Sequence, residues 1–371
     1  MFRNLRAALF VLIIIAVAPW AVRAATCTPS FPFEKGKALG WQGADAAYSI
    51  PLHDGRDVWI FGDTLFGQER IVAGHDPQQV HNTLGISTCD ANGNFHLQYV
   101  VKRDKGGRAE SYFSPTDPKH WYWALDGFQA NGSLWVTLLC IRHASAPMPW
   151  AMDFETCGSD LAEIKHLDRD PQNWEVKIHP LVDDGVKAYP SATTVVDGKY
   201  VYLFALWEAG SRPLLATRIP LSGLNDPKAH LEYLAMDGSW KPGFDPAKAE
   251  PVMKNGITEL SIRYHPDRKQ WVAVMFDPAA FSEKILMRTA PNIIGPWTEG
   301  KVIDRVAEML PGPARDKDTF CYAAKEHPEF EASGDLLFTY VCNTMNVPSL
   351  VTNQKIYFPQ VVRMPMPAGS K

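Results

Sequence analysis

The sequence has little helical periodicity and no cluster of basic residues. Only the segment GSDLAEIKHL, residues 158–167, has some amphipathic helical spacing, and no long apolar stripe with capping residues follows it. The 37 Lys and Arg residues are scattered among 41 Asp and Glu residues, so no surface is predicted to attract a phosphate backbone. We therefore expect neither a mainly helical fold nor a nucleic-acid partner.

Metal-binding motifs are also missing from the sequence. The cysteines form no CxxC pair and no zinc-type spacing with histidine, and no calcium-binding loop motif occurs. No cofactor is therefore expected to be required. A structural calcium ion, held by carboxylates and water in a central channel, is left open, and the identity of any metal is unknown.

The N-terminal segment has the pattern of a secretory signal peptide. Residues 1–24 begin with Arg3 and Arg6, continue with the apolar run from Ala7 to Pro19, and end on small residues at Ala24. We expect cleavage after Ala24 and a secreted or periplasmic protein. A retained membrane anchor is the alternative, but a membrane span needs about 20 apolar residues, and this run is shorter. Removal of three arginines lowers the formal net charge from −4 to −7.

The six cysteines all follow the predicted cleavage point. An even number of cysteines in an oxidising compartment favours disulfides over free thiols. Proximity in the sequence favours these pairs: Cys140 with Cys157, Cys321 with Cys342, and therefore Cys27 with Cys89.

A hairpin pattern recurs five times along the chain. In each unit an apolar strand, a short turn rich in Gly, Asp, Asn or Pro, and a strand dense in Val, Trp, Tyr and Phe follow one another. The hairpins are predicted near residues 45–63, 121–140, 189–207, 258–277 and 320–343. A β-sandwich gives no reason for such a repeat, whereas radially repeated sheets do. We therefore predict an all-β, five-bladed β-propeller, with residues 25–371 as one domain.

The last predicted blade ends before its fourth strand. Its third strand is assigned to the segment KIYFPQVVRM, after which few residues remain. We expect residues 28–40 to supply the missing strand and so to join the first blade to the last.

Acidic residues fall at the open ends of the predicted hairpins. Residues equidistant from the turn of an antiparallel hairpin lie opposite each other, so Asp45 and Asp63, centred on residue 54, are predicted neighbours.

The first strand of each blade lines the central channel, and Asp45, Asp126, Glu259 and His327 should therefore converge from four blades. Carboxylates that share one cavity cannot ionise equally, which separates a proton donor from a base or nucleophile. Glycoside hydrolysis requires that pairing.

Aromatic side chains on the same rim would offer flat faces to sugar rings. They are Trp41, Trp123, Tyr189 and Trp207.

Structural roles are also open for several of these residues. Asp63, in the motif GDT, is suited to accepting hydrogen bonds from strand-end amides or from the Thr64 hydroxyl. Asp126 precedes Gly127, a pair that is suited to a turn. His327 could be a hydrogen-bonded core histidine. Tryptophans belong to cores more often than to binding sites.

Several segments together carry a family resemblance. These segments are GADAAYSIPLHDGRDVWIFGDT, YWALDG, ELSIRYHPDRKQWVAV, GPW, and YAAKEHPEF followed by FTYVCNT. Together they resemble the successive blade motifs of a bacterial domain family of unknown function, some of whose members are endo-D-arabinanases. The likeness runs from about residue 41 to 345. More broadly the layout is similar to five-bladed propeller glycosidases such as arabinanases and fructosidases. The chain departs from the family pattern at Ala44 and Ala46, where glycine is expected, and at Ala124 and Leu125, where Pro-Gly is expected.

The resemblance implies an exported glycoside hydrolase that acts on a poly- or oligosaccharide, with an arabinan-like substrate favoured. In this hypothesis Asp45 is the base or nucleophile, Asp126 tunes or positions, and Glu259, chosen by its place, is the proton donor. The predicted substrate-binding residues are Asp63, Trp41, Trp123, Tyr189, Trp207, His327 and Asn343. A monomer is expected, with no membrane contact in the mature form. The alternative is a propeller that binds carbohydrate without cleaving it.

Overall fold

The computed structural model describes residues 27–67, 78–146, 153–312, 316–346, 349–350, 353 and 355–367. The predicted signal peptide lies outside these residues. Among the described residues, no helix is both long enough and apolar enough to cross a membrane. The helix α1 covers Phe33–Ala38, and short 3-10 helices cover Pro171–Asn173, Leu221–Gly223, Pro246–Lys248, Ala307–Met309 and Pro328–Phe330.

The first two blades are antiparallel sheets in which strands follow one another outward. Blade 1 contains β1 (Trp41–Pro51), β2 (Asp57–Phe66), β3 (Gln78–Val80), β4 (Thr83–Cys89) and β5 (Phe95–Val100). Its order is β1-β2-β4-β5, and β3 pairs with the end of β2. A small sheet of β6 (Lys102–Arg103) and β7 (Ala109–Glu110) follows. Blade 2 contains β8 (His120–Ala130), β9 (Ser133–Arg142), β10 (Glu155–Lys165) and β11 (Glu175–Val182), again in that order.

The remaining blades repeat this arrangement. Blade 3 contains β12 (Ala188–Asp197), β13 (Tyr200–Trp207), β14 (Leu214–Pro220), β15 (Glu232–Leu234), β16 (Trp240–Pro242) and β17 (Pro251–Met253). Blade 4 contains β18 (Leu260–His265), β19 (Gln270–Phe276), β20 (Lys284–Ala290) and β21 (Lys301–Arg305). Blade 5 contains β22 (Thr319–Glu326), β23 (Asp335–Thr344) and β24 (Gln360–Pro365). The predicted hairpins are thus β1–β2, β8–β9, β12–β13, β18–β19 and β22–β23.

The first strand of every blade faces the central axis. Contacts run from β1 to β8, from β8 to β12, from β12 to β18 and from β18 to β22, and both β22 and β23 contact β1. This closed ring of first strands confirms the five-bladed propeller. It also places the open ends of all five hairpins on one rim.

The segment with weak helical spacing, residues 158–167, is a strand over most of its length. It forms the greater part of β10, which pairs with β9 on one side and with β11 on the other. Hydrogen bonding on both sides outweighs the weak helical spacing of this segment, in agreement with the predicted all-β fold.

Four of the five axial strands contain an irregularity close to the rim. The register shifts between Ala44 and Ala46 in β1, and shifts also occur within β8, β12 and β22. Ala46 and Ala323 have left-handed φ angles of 64° and 61°. β-bulges bend a strand and redirect its side chains, and they are common next to active sites. Here they turn the side chains of the axial strands toward the channel.

The predicted closing strand at residues 28–40 is wrong. Within the described residues, the sheet of blade 5 has three strands, and the N-terminal segment instead contains α1. Pro29 and Pro32 lack the N–H groups that a strand ladder needs. The N-terminal segment instead meets blade 5 through a side chain, since Arg363 of β24 donates to the carbonyl oxygen of Cys27 at 3.3 Å.

All three predicted disulfides are present: Cys27–Cys89, Cys140–Cys157 and Cys321–Cys342. The first ties the N-terminal segment to β4, and the other two connect adjacent strands within blades 2 and 5. A disulfide stabilises a fold mainly by restricting the unfolded chain, typically by about 2–4 kcal/mol.

Candidate active site

Asp45 lies at the bulge of β1, on the rim formed by the open hairpin ends. Its carboxylate packs on Gly62, where an added Cβ would lie 2.2 Å from Oδ1. Its Oδ2 accepts a hydrogen bond of 2.8 Å from the Tyr322 hydroxyl of blade 5, and the backbone of Asp63 also bonds it. Burial, followed by the nearby carboxylates of Asp63 and Glu259, raises the pKa of Asp45 well above its ordinary value. The predicted closeness of Asp45 and Asp63 is therefore observed.

Glu259 reaches the same region from blade 4, immediately before β18. Its Oε1 accepts a hydrogen bond of 2.6 Å from the hydroxyl of Tyr48, a residue of β1. Burial raises the pKa of Glu259, while this hydrogen bond and the positive charge of Lys325 act in the opposite direction. Asp45 and Glu259 therefore repel each other across the axis, and each is held by a tyrosine hydroxyl from another blade. Because Asp45 is also close to Asp63, the arrangement favours a proton on Asp45 over one on Glu259.

Asp126 is a fully buried anion behind these two carboxylates. Its side chain accepts hydrogen bonds from Thr193 Oγ1 at 2.7 Å, from the Thr194 amide at 2.9 Å and from Arg263 Nη2 at 3.2 Å. Burial opposes its ionisation, but Arg263 and Lys325 outweigh burial, and the pKa of Asp126 falls below its usual value. With no exposed surface, Asp126 can tune the site but cannot contact a substrate.

Lys325 connects the buried anion to the rim. Its ammonium lies 3.8 Å from Asp126 Oδ2 and 3.9 Å from the centre of the Tyr48 ring, and it donates to the carbonyl oxygen of Leu125. Burial lowers the pKa of Lys325 to about 8. Because the positive charge of the Lys325 ammonium acts on both carboxylates, it couples the ionisation of Asp126 to that of Glu259.

Asp63 opens onto a cleft beside the axial carboxylates. Its Oδ1 lies 2.9 Å from His81 Nδ1 and accepts a weak hydrogen bond of 3.4 Å from Trp123 Nε1. The Trp121 ring stacks on His81 with centroids 4.8 Å apart, and Phe154 packs its edge against Trp123. The cleft has a volume of about 830 Å³. Its aromatic walls could hold sugar rings that extend away from Asp45 and Glu259.

Five of the predicted substrate-binding residues lie elsewhere. Trp41 has no exposed surface and stacks on Tyr99 at 4.5 Å, which makes it a core residue. His327 is also fully buried, between Ser49 Oγ at 2.5 Å and Thr339 Oγ1 at 2.8 Å. Burial lowers its pKa to about 3, so this histidine is neutral. Both predicted contacts with sugar are therefore corrected to structural roles.

Tyr189 is 4% exposed and packs in the core shared by blades 1 to 3, so it offers no face to a sugar. Asn343 is half-buried, and its side-chain oxygen accepts the amide hydrogen of Thr344 at 2.7 Å. Trp207 is half-buried at the end of β13, away from the residues that line the cleft.

Several residues of the site were missed in the sequence. Tyr48, Tyr322 and Arg263 reach the axial carboxylates, and His81 and Trp121 line the cleft. The two tyrosines lie on first strands, in AAYSIP and CYAAKE. Their position on these strands, close to the predicted acids, was the feature of the sequence that could have identified them.

Two groups of side chains in the described part of the chain could offer three ligands to a metal ion. The first, His120 with Cys140 and Cys157, has no free thiolate because the cysteines form a disulfide. The second, His265 with Glu326 and Glu331, lies at the other end of β18. The axial carboxylates do not form such a group within the described residues, and calcium in the channel stays a prediction.

Comparisons with known proteins give a family match and a fold. The family described as Domain of unknown function (DUF5005) matches residues 33–365. Notoamide biosynthesis cluster protein J from Aspergillus sp. (strain MF297-2) is 22% identical over 337 residues, 85% of this chain and 84% of that protein. A "putative hydrolase" from Bacteroides ovatus is similar in structure, with a TM-score of 0.66 at 16% identity over 89% of this chain and 88% of that one. An exo-1,5-alpha-L-arabinanase from a bovine ruminal metagenomic library gives a TM-score of 0.44 at 12% identity, over 88% and 94% of the two chains.

Proposed function

Because the chain belongs to the DUF5005 family and brings carboxylates from several propeller blades to one axial site, we propose that it is an exported glycoside hydrolase. Its substrate would be a poly- or oligosaccharide, and an arabinan-like polymer is the first to test. The predicted signal peptide and the three disulfides support export.

The observation that carries this proposal is the pairing of Asp45 with Glu259. The two carboxylates come from blades 1 and 4, and each accepts a hydrogen bond from a tyrosine hydroxyl. The negative charge of Glu259 helps to raise the pKa of Asp45. Burial raises the pKa of both carboxyl groups, and the neighbouring charges of Asp63 and Glu259 raise the pKa of Asp45 further, which favours one protonated and one ionised member of the pair. Protonation of a glycosidic oxygen and stabilisation or attack at the anomeric carbon need those two groups.

Asp126 supports the pair without touching the substrate. It holds Arg263 and Lys325 in place, and Lys325 favours the anionic form of Glu259. The cleft beside Asp63 would bind further sugar units through Trp121, Trp123 and Phe154.

The proposal is tested by incubating the mature protein with arabinans and other bacterial and plant polysaccharides and analysing the products. Asp45→Asn and Glu259→Gln should each lower the cleavage rate by about 100-fold or more, since each removes one partner of the acid–base pair. Asp277→Asn is the matched control, because Asp277 lies on the blade 4 rim and interacts with nearby groups of its own blade, the Ala279 amide, the Ser282 hydroxyl and Lys284. Full activity in Asp45→Asn would refute the assignment.

The roles within the pair are distinguished by the leaving group of the substrate. The sequence assigns proton donation to Glu259, whereas the electrostatic surroundings favour a proton on Asp45. On an aryl glycoside whose leaving group needs no protonation, the variant that lacks the proton donor should recover activity and the other should not.

A carbohydrate-binding propeller without catalysis is the competing function. It predicts saturable glycan binding with no product from any polysaccharide in the panel, and unchanged binding in Glu259→Gln.

A further inference from the structure

A second group of buried polar side chains lies at the opposite end of the propeller from Asp45 and Glu259. His265 ends β18, Glu326 ends β22, and Glu331 belongs to the turn between β22 and β23. Six residues of extended strand separate His265 from Glu259, a distance of roughly 20 Å. This cluster is therefore separate from the candidate active site.

The three side chains are in mutual contact and almost fully buried. One ligand atom from each lies within 4.8 Å of the others, and His265 Nε2 lies 2.5 Å from Glu326 Oε1. The exposed fractions are 6% for His265, 2% for Glu326 and 8% for Glu331. Burial of two carboxylates side by side is unfavourable unless a proton or a cation lies between them.

The second oxygen of Glu326 identifies where such a cation would bind. Glu326 Oε2 is buried, and among the described residues it has no hydrogen-bond donor while Glu331 is ionised. A protonated Glu331 carboxyl could donate to Glu326. Buried carboxylate oxygens are otherwise satisfied in native proteins. Arg263 interacts electrostatically with Glu326, but its guanidinium donates hydrogen bonds to Asp126. The guanidinium of Arg268 donates to the carbonyl oxygens of Met366 and Pro367.

We propose that His265, Glu326 and Glu331 bind a divalent transition-metal ion, for which zinc is the best match. One imidazole and two carboxylates form a donor set that zinc uses at bond lengths of about 2.0–2.2 Å. Tetrahedral bonds of that length place ligand atoms roughly 3.3 Å apart, so the present separations, which are at most 4.8 Å, need to change by up to about 1.5 Å. Calcium is a poorer match because it takes about six to eight oxygen ligands.

The surroundings would allow the ion to enter and to keep a water ligand. A cavity of about 290 Å³ adjoins the cluster, and Asp267 in its wall adds negative charge. The bound ion would connect β18 of blade 4 with the β22–β23 turn of blade 5. It would displace the proton that His265 Nε2 shares with Glu326, so its affinity should fall in acid.

The test uses the full mature chain after treatment with a chelator. Calorimetric titration with zinc chloride should show one tight site per chain, and saturation should raise Tm by a few degrees. Cobalt(II) at the same site should give the visible absorption of a four-coordinate complex. Glu331→Gln keeps an acceptor for the Leu337 amide, which Glu331 Oε1 binds at 2.9 Å, and should weaken zinc binding by at least about tenfold.

The matched control is Glu163→Gln. Glu163 lies 3.2 Å from the buried His179, and within the described part of the chain the two belong to no three-ligand group. This variant should therefore bind zinc as tightly as the wild type. His265→Gln provides a second test if Glu331→Gln does not fold.

Equal zinc affinity in the wild type and in Glu331→Gln would overturn the proposal, because the metal would then bind elsewhere. A wild type without a stoichiometric site would overturn it as well. If Glu331→Gln were also more stable than the metal-free wild type, the cluster would be a proton-sharing carboxyl pair.

Discussion

Replacement of Asp126 by asparagine should destabilise the protein more than any other single amide substitution on the axial strands. Asp126 is completely buried and faces two cations, Arg263 at 3.2 Å and Lys325 at 3.8 Å. The asparagine would fit the same space but remove the carboxylate that forms an ion pair with each of the two cations. Loss of one partner of a buried ion pair typically costs about 3–5 kcal/mol.

That cost can be measured as a thermal shift. A loss of 3–5 kcal/mol corresponds to a fall in Tm of about 4–7 °C for a single domain of this length. Asp277→Asn, on the blade 4 rim, should change Tm by about 2 °C or less, because surface substitutions usually cost under about 0.5 kcal/mol. The double variant Asp126→Asn/Arg263→Gln should lose less than the sum of the two single losses, since the second change removes one stranded charge.

The pH dependence gives an independent check of the same reasoning. The folded-state pKa of Asp126 lies below its unfolded value of about 3.9. Its stabilisation is therefore fully present above about pH 4 and is lost as pH falls through the folded pKa. The difference in Tm between wild type and Asp126→Asn should accordingly shrink in strong acid. A difference no larger than that of Asp277→Asn at neutral pH, or strict additivity in the double variant, would refute the argument.

Two further predictions concern the site itself. The pKa of Lys325 is lowered to about 8, so the cleavage rate should decline above roughly that pH as the ammonium loses its charge. Lys325→Arg should shift this decline to higher pH. If the decline stays at the same pH in the variant, it belongs to another group. Trp123→Ala should raise KM for a polysaccharide by about tenfold, equivalent to about 1.4 kcal/mol of lost contact, whereas Trp41→Phe should leave KM unchanged and lower only Tm. A KM change in Trp41→Phe comparable to that in Trp123→Ala would contradict the burial of Trp41.

The repeated hairpins, the propeller and the disulfides could be predicted because each follows from a local pattern or from proximity. Turn residues and dense β-branched or aromatic strands recur at each blade, and Cys321 and Cys342 turned out to be direct cross-strand partners. The same local logic failed at residues 28–40, where prolines and a short helix replace the expected strand. Closure of the ring is a long-range property that no local pattern encodes.

The site was harder to predict because bulges decide which side chains face the channel. Counting outward from the turn at residue 54 correctly places Asp45 near Asp63. Register shifts between Ala44 and Ala46 and between Ala46 and Tyr48 then bring Tyr48 toward Glu259. A shift in β22 likewise directs Tyr322 toward Asp45 and Lys325 toward Asp126, residues that come from two other blades. A bulge reverses the parity of every residue after it. The position of an acid at a hairpin end could therefore be inferred from spacing, whereas its hydrogen-bond partners required the three-dimensional structure.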